Sequence, residues 1–475
     1  MSVEFPEDLP AARSSGGFFD RSHSIAPRDY NRFLVPPAAL AMHLSIGQAY
    51  AFSTFNLPLT KLLGLSHSAP GDWKLAQVGW TFSIAIFVLG ASAALFGRWV
   101  ERVGPRMAMF VSALCFGGGF LVAALGIQLH QIWLLYLGYG VLGGCGLGIG
   151  YIAPVSTLIK WFPDRPGMAT GMAIMGFGGG ALIAAPLSLL LMKHFQTAVS
   201  NGVFETFIAM GAIYFTFIMF GSFAVRIPPE NWKPAGWTAP SQPRKLVTTA
   251  QVDVGTAWGT RQFWLLWVVL CMNVTAGIGV LSQASPMIQE MFTGRVSPEA
   301  AAGFVGLLSL FNMGGRFFWA SISDYIGRKN TYLVFFLLGI LLYAAVPTIG
   351  RMGSVTLFVA AFAVILSMYG GGFATIPAYL RDMFGTMHVG AIHGRLLTAW
   401  AVAGVLGPVL VNYIRQFQID GGVPKAQAYS VTMYIMCGLL FIGLVCNISI
   451  RAVHERHHYR DGPRRPHGRA AGDPA

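Results

Sequence analysis

A chain of 475 residues that is 54% hydrophobic and only 11% charged is not composed like a soluble globular protein. It is long enough for about a dozen membrane spans of about 20 residues joined by short loops. The net charge of +13 could serve either nucleic-acid binding or membrane orientation, and the distribution of the charges decides for orientation.

The chain opens with a polar arm, residues 1–32. Its first stretch, MSVEFPEDLPAARSSGG, is acidic and no apolar core precedes residue 33, so a cleaved signal peptide is not expected. Apolar runs then predict spans at roughly 33–57, 77–97, 107–128, 132–158, 168–192 and 203–225. Residues 226–262 hold five prolines among polar residues and read as a linker on the water side. A second set of spans follows at roughly 263–291, 300–323, 330–350, 354–383, 388–413 and 428–450, and residues 451–475 form a basic tail. The expected fold class is an all-α membrane protein of 12 transmembrane helices in two six-helix halves, 33–225 and 263–450. Five cysteines (Cys115, Cys145, Cys271, Cys437, Cys446) fall inside apolar runs without disulfide or metal-ligand spacing, and read as packing residues. No cofactor or metal is expected.

An even number of spans puts both termini on one side. The arm, linker, tail and loops of that side carry 24 of the 32 Lys and Arg residues, against 7 in the opposite loops. The positive-inside rule then predicts cytoplasmic termini and linker. The basic balance is accounted for by topology, with some attraction of the tail for anionic lipid, and nucleic acid is not an expected partner. The lipid bilayer is.

An internal repeat fixes the architecture. A shift of 223 brings Glu101 onto Asp324, Gly104 onto Gly327 and Arg106 onto Lys329. The same shift pairs Gly148 with Gly371, Pro154 with Pro377, Gly167 with Gly390 and Gly171 with Gly394. Two parallel halves with a site between them near the membrane midplane follow. Arg316 falls on Ala93 under the same shift, so the halves share a frame and differ in charge.

That charge lies in SLFNMGGRFFWASISDYIGRK, residues 309–329. On a helix, Ser309, Asn312, Arg316, Trp319 and Ser323 form one polar stripe, while Leu310, Phe311, Phe317 and Phe318 lie off it. Asp324 and the Gly-Arg-Lys triplet 327–329 mark the water boundary, which places Arg316 about 12 Å inside it and near the midplane. A cation there costs at least about 2.5–3.5 kcal/mol on insertion scales. It needs a cavity, a partner or a ligand, and no Asp or Glu lies deep in another span. Backbone carbonyls or snorkelling are the structural alternatives to an anion.

His43, about 15 Å into the first span, shares a face with Tyr50 and Thr54. It is a candidate proton carrier or a hydrogen-bonded structural group. His393 shares a face with Trp400 nearer the rim. Tyr50, Tyr139, Trp319, Tyr369 and Trp400 are candidate cavity linings, although for each taken alone packing or interfacial anchoring is the more ordinary role. The glycine runs 143–150 and 176–180 lie inside apolar spans with no preceding strand, so they predict close helix packing and not a dinucleotide loop.

The loops GRWVERVGPR (97–106) and SDYIGRK (323–329) resemble the loop 2–3 signature of the major facilitator superfamily, G-x-x-x-D-R-x-G-x-R, with Glu101 in place of Asp and Ala320 in place of the second leading glycine. The resemblance implies a gating role for Glu101, Arg102, Gly104, Arg106, Asp324, Gly327 and Arg328, which latch the two halves at the cytoplasmic face. A carboxylate at a helix end can meet another helix's N-terminal dipole or a basic residue. The runs YAFSTFNLPL (50–59), KWFPDRPGMATGMAIMGFGGG (160–180), FNMGGRFFWASISDYIGRKN (311–330) and YGGGFATIPAYLRDMFGTMHVGAIHGRLLTAW (369–400) resemble the oxalate/formate antiporter family within that superfamily. That similarity implies uptake or exchange of small organic anions, with an arginine of span 8 and a lysine of span 11 as the charges. Arg316 fits the first role. Span 11 holds no lysine, and Trp400 stands at midplane depth instead.

Span 8 also resembles that of proton-linked monocarboxylate transporters, which carry an aspartate one turn before the arginine; here it is Asn312, which cannot carry a proton. The sequence thus predicts a non-enzymatic carrier of short monocarboxylates such as pyruvate, lactate or formate, working by alternating access in the cell (inner) membrane as a monomeric unit. Arg316, Asn312, Trp400, Tyr50, Tyr139, Tyr369, Trp319 and His43 are the expected substrate-binding set. Exchange or facilitated movement is expected over strict proton symport, with His43 as the fallback proton carrier. An oxalate/formate-type dicarboxylate exchanger, a polyspecific exporter of the same fold and a non-transporting anion sensor are the alternatives.

Overall fold

The computed structural model describes residues 17, 19–65, 67–230, 232–237, 246–248 and 250–459, leaving the first part of the arm and most of the basic tail outside the described residues. Among these, ten helices are long and apolar enough to cross a membrane. They are spans 2 (Leu75–Val103), 3 (Pro105–Gln128), 4 (Ile132–Trp161), 5 (Pro166–Phe195) and 6 (Val203–Ala224) of the first half, and spans 7 (Arg261–Met291), 9 (Arg328–Met352), 10 (Val355–Phe384), 11 (Val389–Asp420) and 12 (Ser430–Ser449) of the second. Two further elements complete the twelve. Span 8 is the helix Pro298–Ile326, which carries the polar stripe. Span 1, residues 35–59, runs as the α-helix Val35–Ile46, the 3₁₀ stretch Gly47–Phe55 and the short helix Asn56–Leu59.

The single helix expected for span 1 is therefore broken. The change of winding begins at Gly47, where a Cβ would lie 2.5 Å from the Phe177 carbonyl oxygen, so the backbones of spans 1 and 5 are in contact there. Span 4 is also irregular, with a π stretch over Tyr136–Gly143. Such stretches recur at functional sites inside helices.

Single glycines at positive φ make the tight connections at the charged face: Gly104 (φ +84°) between spans 2 and 3, and Gly327 (φ +86°) between spans 8 and 9. They are repeat mates, and each occupies a conformation that a side chain would strain. The halves meet through two matching pairs, span 2 on span 11 and span 8 on span 5. Under the 223-residue shift one pair becomes the other. Phe311, Phe317 and Phe318 are exposed on the outer surface of span 8 while Arg316 and Asn312 are buried, the division the stripe predicts. The only β contact among the described residues is one bridge, Ile25 to Ile227, tying the arm to the linker.

Candidate functional site

Arg316 is fully buried, at 0% exposure, between spans 5, 8 and 10. Its Nε donates to Asn312 Oδ1 at 3.0 Å, one turn earlier on span 8. The guanidinium carbon lies 5.1 Å from the ring centre of Phe373 (span 10) and 5.8 Å from that of Phe177 (span 5). The arginine passes over bare backbone at Gly178, where a Cβ would come within 2.8 Å of Nε. The terminal nitrogens Nη1 and Nη2 have no hydrogen-bond partner among the described residues.

Aromatic rings from both halves close around it. The Trp400 ring lies 4.6 Å from Phe373, 5.3 Å from Phe177, 5.4 Å from Tyr151 and 6.3 Å from Tyr50. Tyr50 and Tyr369 share a hydrogen bond at 3.1 Å, linking span 1 to span 10 across the two halves. The hydroxyls of Tyr50 and Tyr151 stand beside the guanidinium, near enough to interact with it but outside ordinary hydrogen-bond geometry. Besides the two guanidinium nitrogens, the Tyr151 hydroxyl and Trp400 Nε1 are buried without partners among the described residues. An orphaned buried polar group costs about 1–3 kcal/mol. All four of these groups can donate, and a carboxylate only accepts, with two oxygens that suit the guanidinium fork. The cage therefore presents hydrogen-bond donors and a positive charge, with no acceptor among these four groups.

Five of the eight sequence-predicted binding residues converge here: Arg316, Asn312, Tyr50, Tyr369 and Trp400. His43 lies one layer outside, its ring 5.3 Å from Tyr151. Tyr139 is elsewhere. Its hydroxyl donates to Gln48 at 2.9 Å and its ring packs on Phe52 and Phe120, so it belongs to the core of the first half. Trp319 is also outside the cage, donating to Ser367 at 3.1 Å and packed on Phe335 within the second half. It shares the polar stripe, but the stripe spans too wide an arc for every member to face the arginine. Tyr151, Phe177 and Phe373 escaped the sequence reading. Phe177 is the repeat mate of Trp400, which would have found it. Tyr151 and Phe373 each follow directly on a glycine run, GLGIG and GGG, where the neighbouring helices come close.

The residues expected to gate lie at the face of the Gly104 and Gly327 turns, where two of them, Glu101 and Asp324, make matching contacts between the halves. Asp324 of span 8 accepts from the backbone N–H groups of Gly167 (2.8 Å) and Met168 (2.9 Å) at the start of span 5. Glu101 of span 2 accepts from the N–H of Gly390 (3.0 Å) at the start of span 11 and from Lys160 (2.8 Å). Both acceptors and both amides are repeat mates, so each half caps the other's helix in the same way. Arg328 joins Asp324 (2.6 Å) to Asp382 (3.2 Å) and also donates to Ser323. Arg102 is exposed and borders a cavity of about 2230 Å³ on this face, whereas Arg106 is buried. Asp253 of the linker lies 3.5 Å from Arg98 and 3.8 Å from His388, bridging the halves. Partial burial pushes its carboxyl pKa up; the Gly255 N–H, Arg98 and His388 outweigh this and hold it below the ordinary carboxylate value.

Residues 38–408 match the family model described as Major Facilitator Superfamily. The chain belongs to the Major Facilitator Superfamily. It is a multi-pass membrane transporter. It is similar to the oxalate:formate antiporter of Oxalobacter formigenes, 29% identical over 79% of this chain and 82% of the relative. It is also similar to apicoplast pyruvate carrier 1 of Toxoplasma gondii, 23% identical over 69% of this chain and 68% of the relative. Among solved structures, the fucose:proton symporter of Escherichia coli superposes with a TM-score of 0.63 at 12% identity, over 88% of this chain and 99% of that one, a likeness of fold.

Proposed function

We propose that this transporter carries small organic anions, with short monocarboxylates such as pyruvate, lactate and formate preferred, by alternating access across the cell (inner) membrane with both termini in the cytoplasm. The observation that carries the reading is Arg316 with two unpartnered nitrogens inside a cage of donors. A carboxylate seated bidentately on Nη1 and Nη2 satisfies both, and the Tyr151 hydroxyl and Trp400 indole offer further donors. Asn312 holds the guanidinium from the Nε side and leaves the fork free. The single-residue positions of the superfamily latch support alternation: with Glu101 and Asp324 capping the opposite half, the cytoplasmic side is shut, and release of those caps opens it. One chain holds a complete site between its two halves, which supports a monomeric working unit.

Charge count favours monoanions. One embedded cation leaves a monocarboxylate complex near neutral, whereas a dianion brings one uncompensated negative charge into low dielectric. A second cation about 4 Å away would contribute roughly 4 kcal/mol at an effective dielectric of about 20, before desolvation. Similarity to an oxalate:formate antiporter favours a second reading, a dicarboxylate exchanger. The two are separated by uptake of labelled pyruvate into liposomes holding the purified protein, with unlabelled formate, lactate and oxalate as competitors. The first reading expects the monoanions to displace the label better than oxalate; stronger displacement by oxalate overturns it.

A further inference from the structure

Two buried histidines that anion binding alone does not use, His43 on span 1 and His393 on span 11, flank the cage residue Tyr151 of span 4. The rings are in sequence, His43 to Tyr151 at 5.3 Å and Tyr151 to His393 at 5.8 Å, and Tyr151 also touches the cage at Trp400. His43 and His393 are 0% and 1% exposed. His43 Nδ1 lies 3.1 Å from the carbonyl oxygen of Ala39, so that nitrogen carries the hydrogen and donates it. The lone pair of a neutral ring is then on Nε2, which lies toward the Tyr151 main chain but makes no hydrogen bond of ordinary geometry among the described residues. Neither nitrogen of His393 has one.

We propose that His43 is a proton-binding site, and that one proton rides on its Nε2 with each carboxylate held by Arg316. The proposal rests on the anion reading above. The titratable and charged groups that face His43 are Tyr151 from span 4, Arg316 from span 8 and His393 from span 11. Span 5 faces it with Gly176, and span 6 approaches span 1 at Ala38 instead. Burial disfavours an imidazolium there, and the Arg316 guanidinium adds repulsion while the site is empty. A carboxylate on the guanidinium cancels that repulsion, so anion and proton each favour the other's binding by the same factor. The step is a simple protonation: a solvent proton adds to the Nε2 lone pair as the anion enters and leaves from it as the anion leaves. His393, nearer the latch face, and Tyr151 extend the polar path toward the cytoplasmic side. Together the loaded pair moves no net charge beyond that of the empty carrier.

The test uses the full-length protein in liposomes with a trapped pH dye and labelled pyruvate, corrected for protein-free vesicles. The expected result is about one proton per pyruvate in net uptake, and a rate indifferent to a potassium–valinomycin potential. His43→Gln is expected to bring that ratio near zero per pyruvate moved, with uptake now responding to the potential. Pyruvate movement by the natural protein with a ratio near zero overturns the proton site and leaves the anion reading standing, as does an unchanged ratio in His43→Gln. Failure of the natural protein to move pyruvate, lactate, formate or oxalate overturns the anion reading and the proton site with it. Where the Gln variant does not fold, the ratio of the natural protein decides: near one supports, near zero overturns.

Discussion

At the scale of the residue, the proposed carboxylate site is the unpaired fork of Arg316. Arg316→Lys replaces a bidentate donor by a point charge and is expected to keep a small part of the transport rate, with binding weakened about tenfold or more. Asn312→Asp makes the opposite change. It sets a carboxylate where the amide oxygen now accepts from Nε at 3.0 Å, and so neutralises the guanidinium from behind. Affinity for an anion should fall at least about tenfold, equivalent to about 1.4 kcal/mol, read as the concentration of pyruvate that half-saturates uptake. An Asp variant that binds pyruvate as tightly as Asn312 would show that the free charge of Arg316 is not what holds the substrate. Arg316 and Asn312 were legible in the sequence because a cation and an amide interrupt an apolar helix. Phe177 and Phe373 were not, because a phenylalanine facing a guanidinium is written like one facing lipid.

At the scale of the element, the proposed gate is the pair of contacts that Glu101 and Asp324 make across the halves. A Cβ at Gly167 would lie 2.1 Å from the Ala320 carbonyl and 2.9 Å from Asp324 Oδ1, and one at Gly390 would lie 2.5 Å from Glu101 Oε1. Gly167→Ala therefore drives spans 5 and 8 apart at that face and should shift the carrier toward its open state there. Cysteine labelling from the cytoplasmic side at Trp400→Cys should then speed up; unchanged labelling would mean that the latch does not govern access. Asp324→Asn should slow turnover more than it weakens binding, since it alters the balance of states and leaves the cage intact. The linker tether at Asp253 has the sign of a depressed carboxylate: its stabilising contribution is complete above the unfolded value of about 3.9 and is lost as pH falls through the lower folded value. The repeat made the latch legible residue by residue. The winding changes in spans 1 and 4 were not, since backbone contact at Gly47 depends on span 5 and leaves no trace in the local pattern.

At the scale of the whole molecule, the halves share a frame and divide the labour of the site. The second half supplies Arg316, Asn312, Tyr369, Phe373 and Trp400; the first supplies Tyr50, Tyr151 and Phe177. No position in the first half repeats the arginine, since Ala93 stands there, and this asymmetry gives the cage one charge. Periodicity, charge bias and the 223-residue shift together disclose twelve spans and two halves. The convergence of rings from spans 1, 4, 5, 10 and 11 on one guanidinium is a property of packing between spans far apart in sequence. The most direct measurement is the uptake of labelled pyruvate into liposomes by purified Arg316→Gln, alongside the natural protein and with its fold verified by size exclusion and thermal unfolding. The account predicts a folded variant with transport reduced to the level of empty liposomes; a folded variant that takes up pyruvate at the natural rate would contradict it.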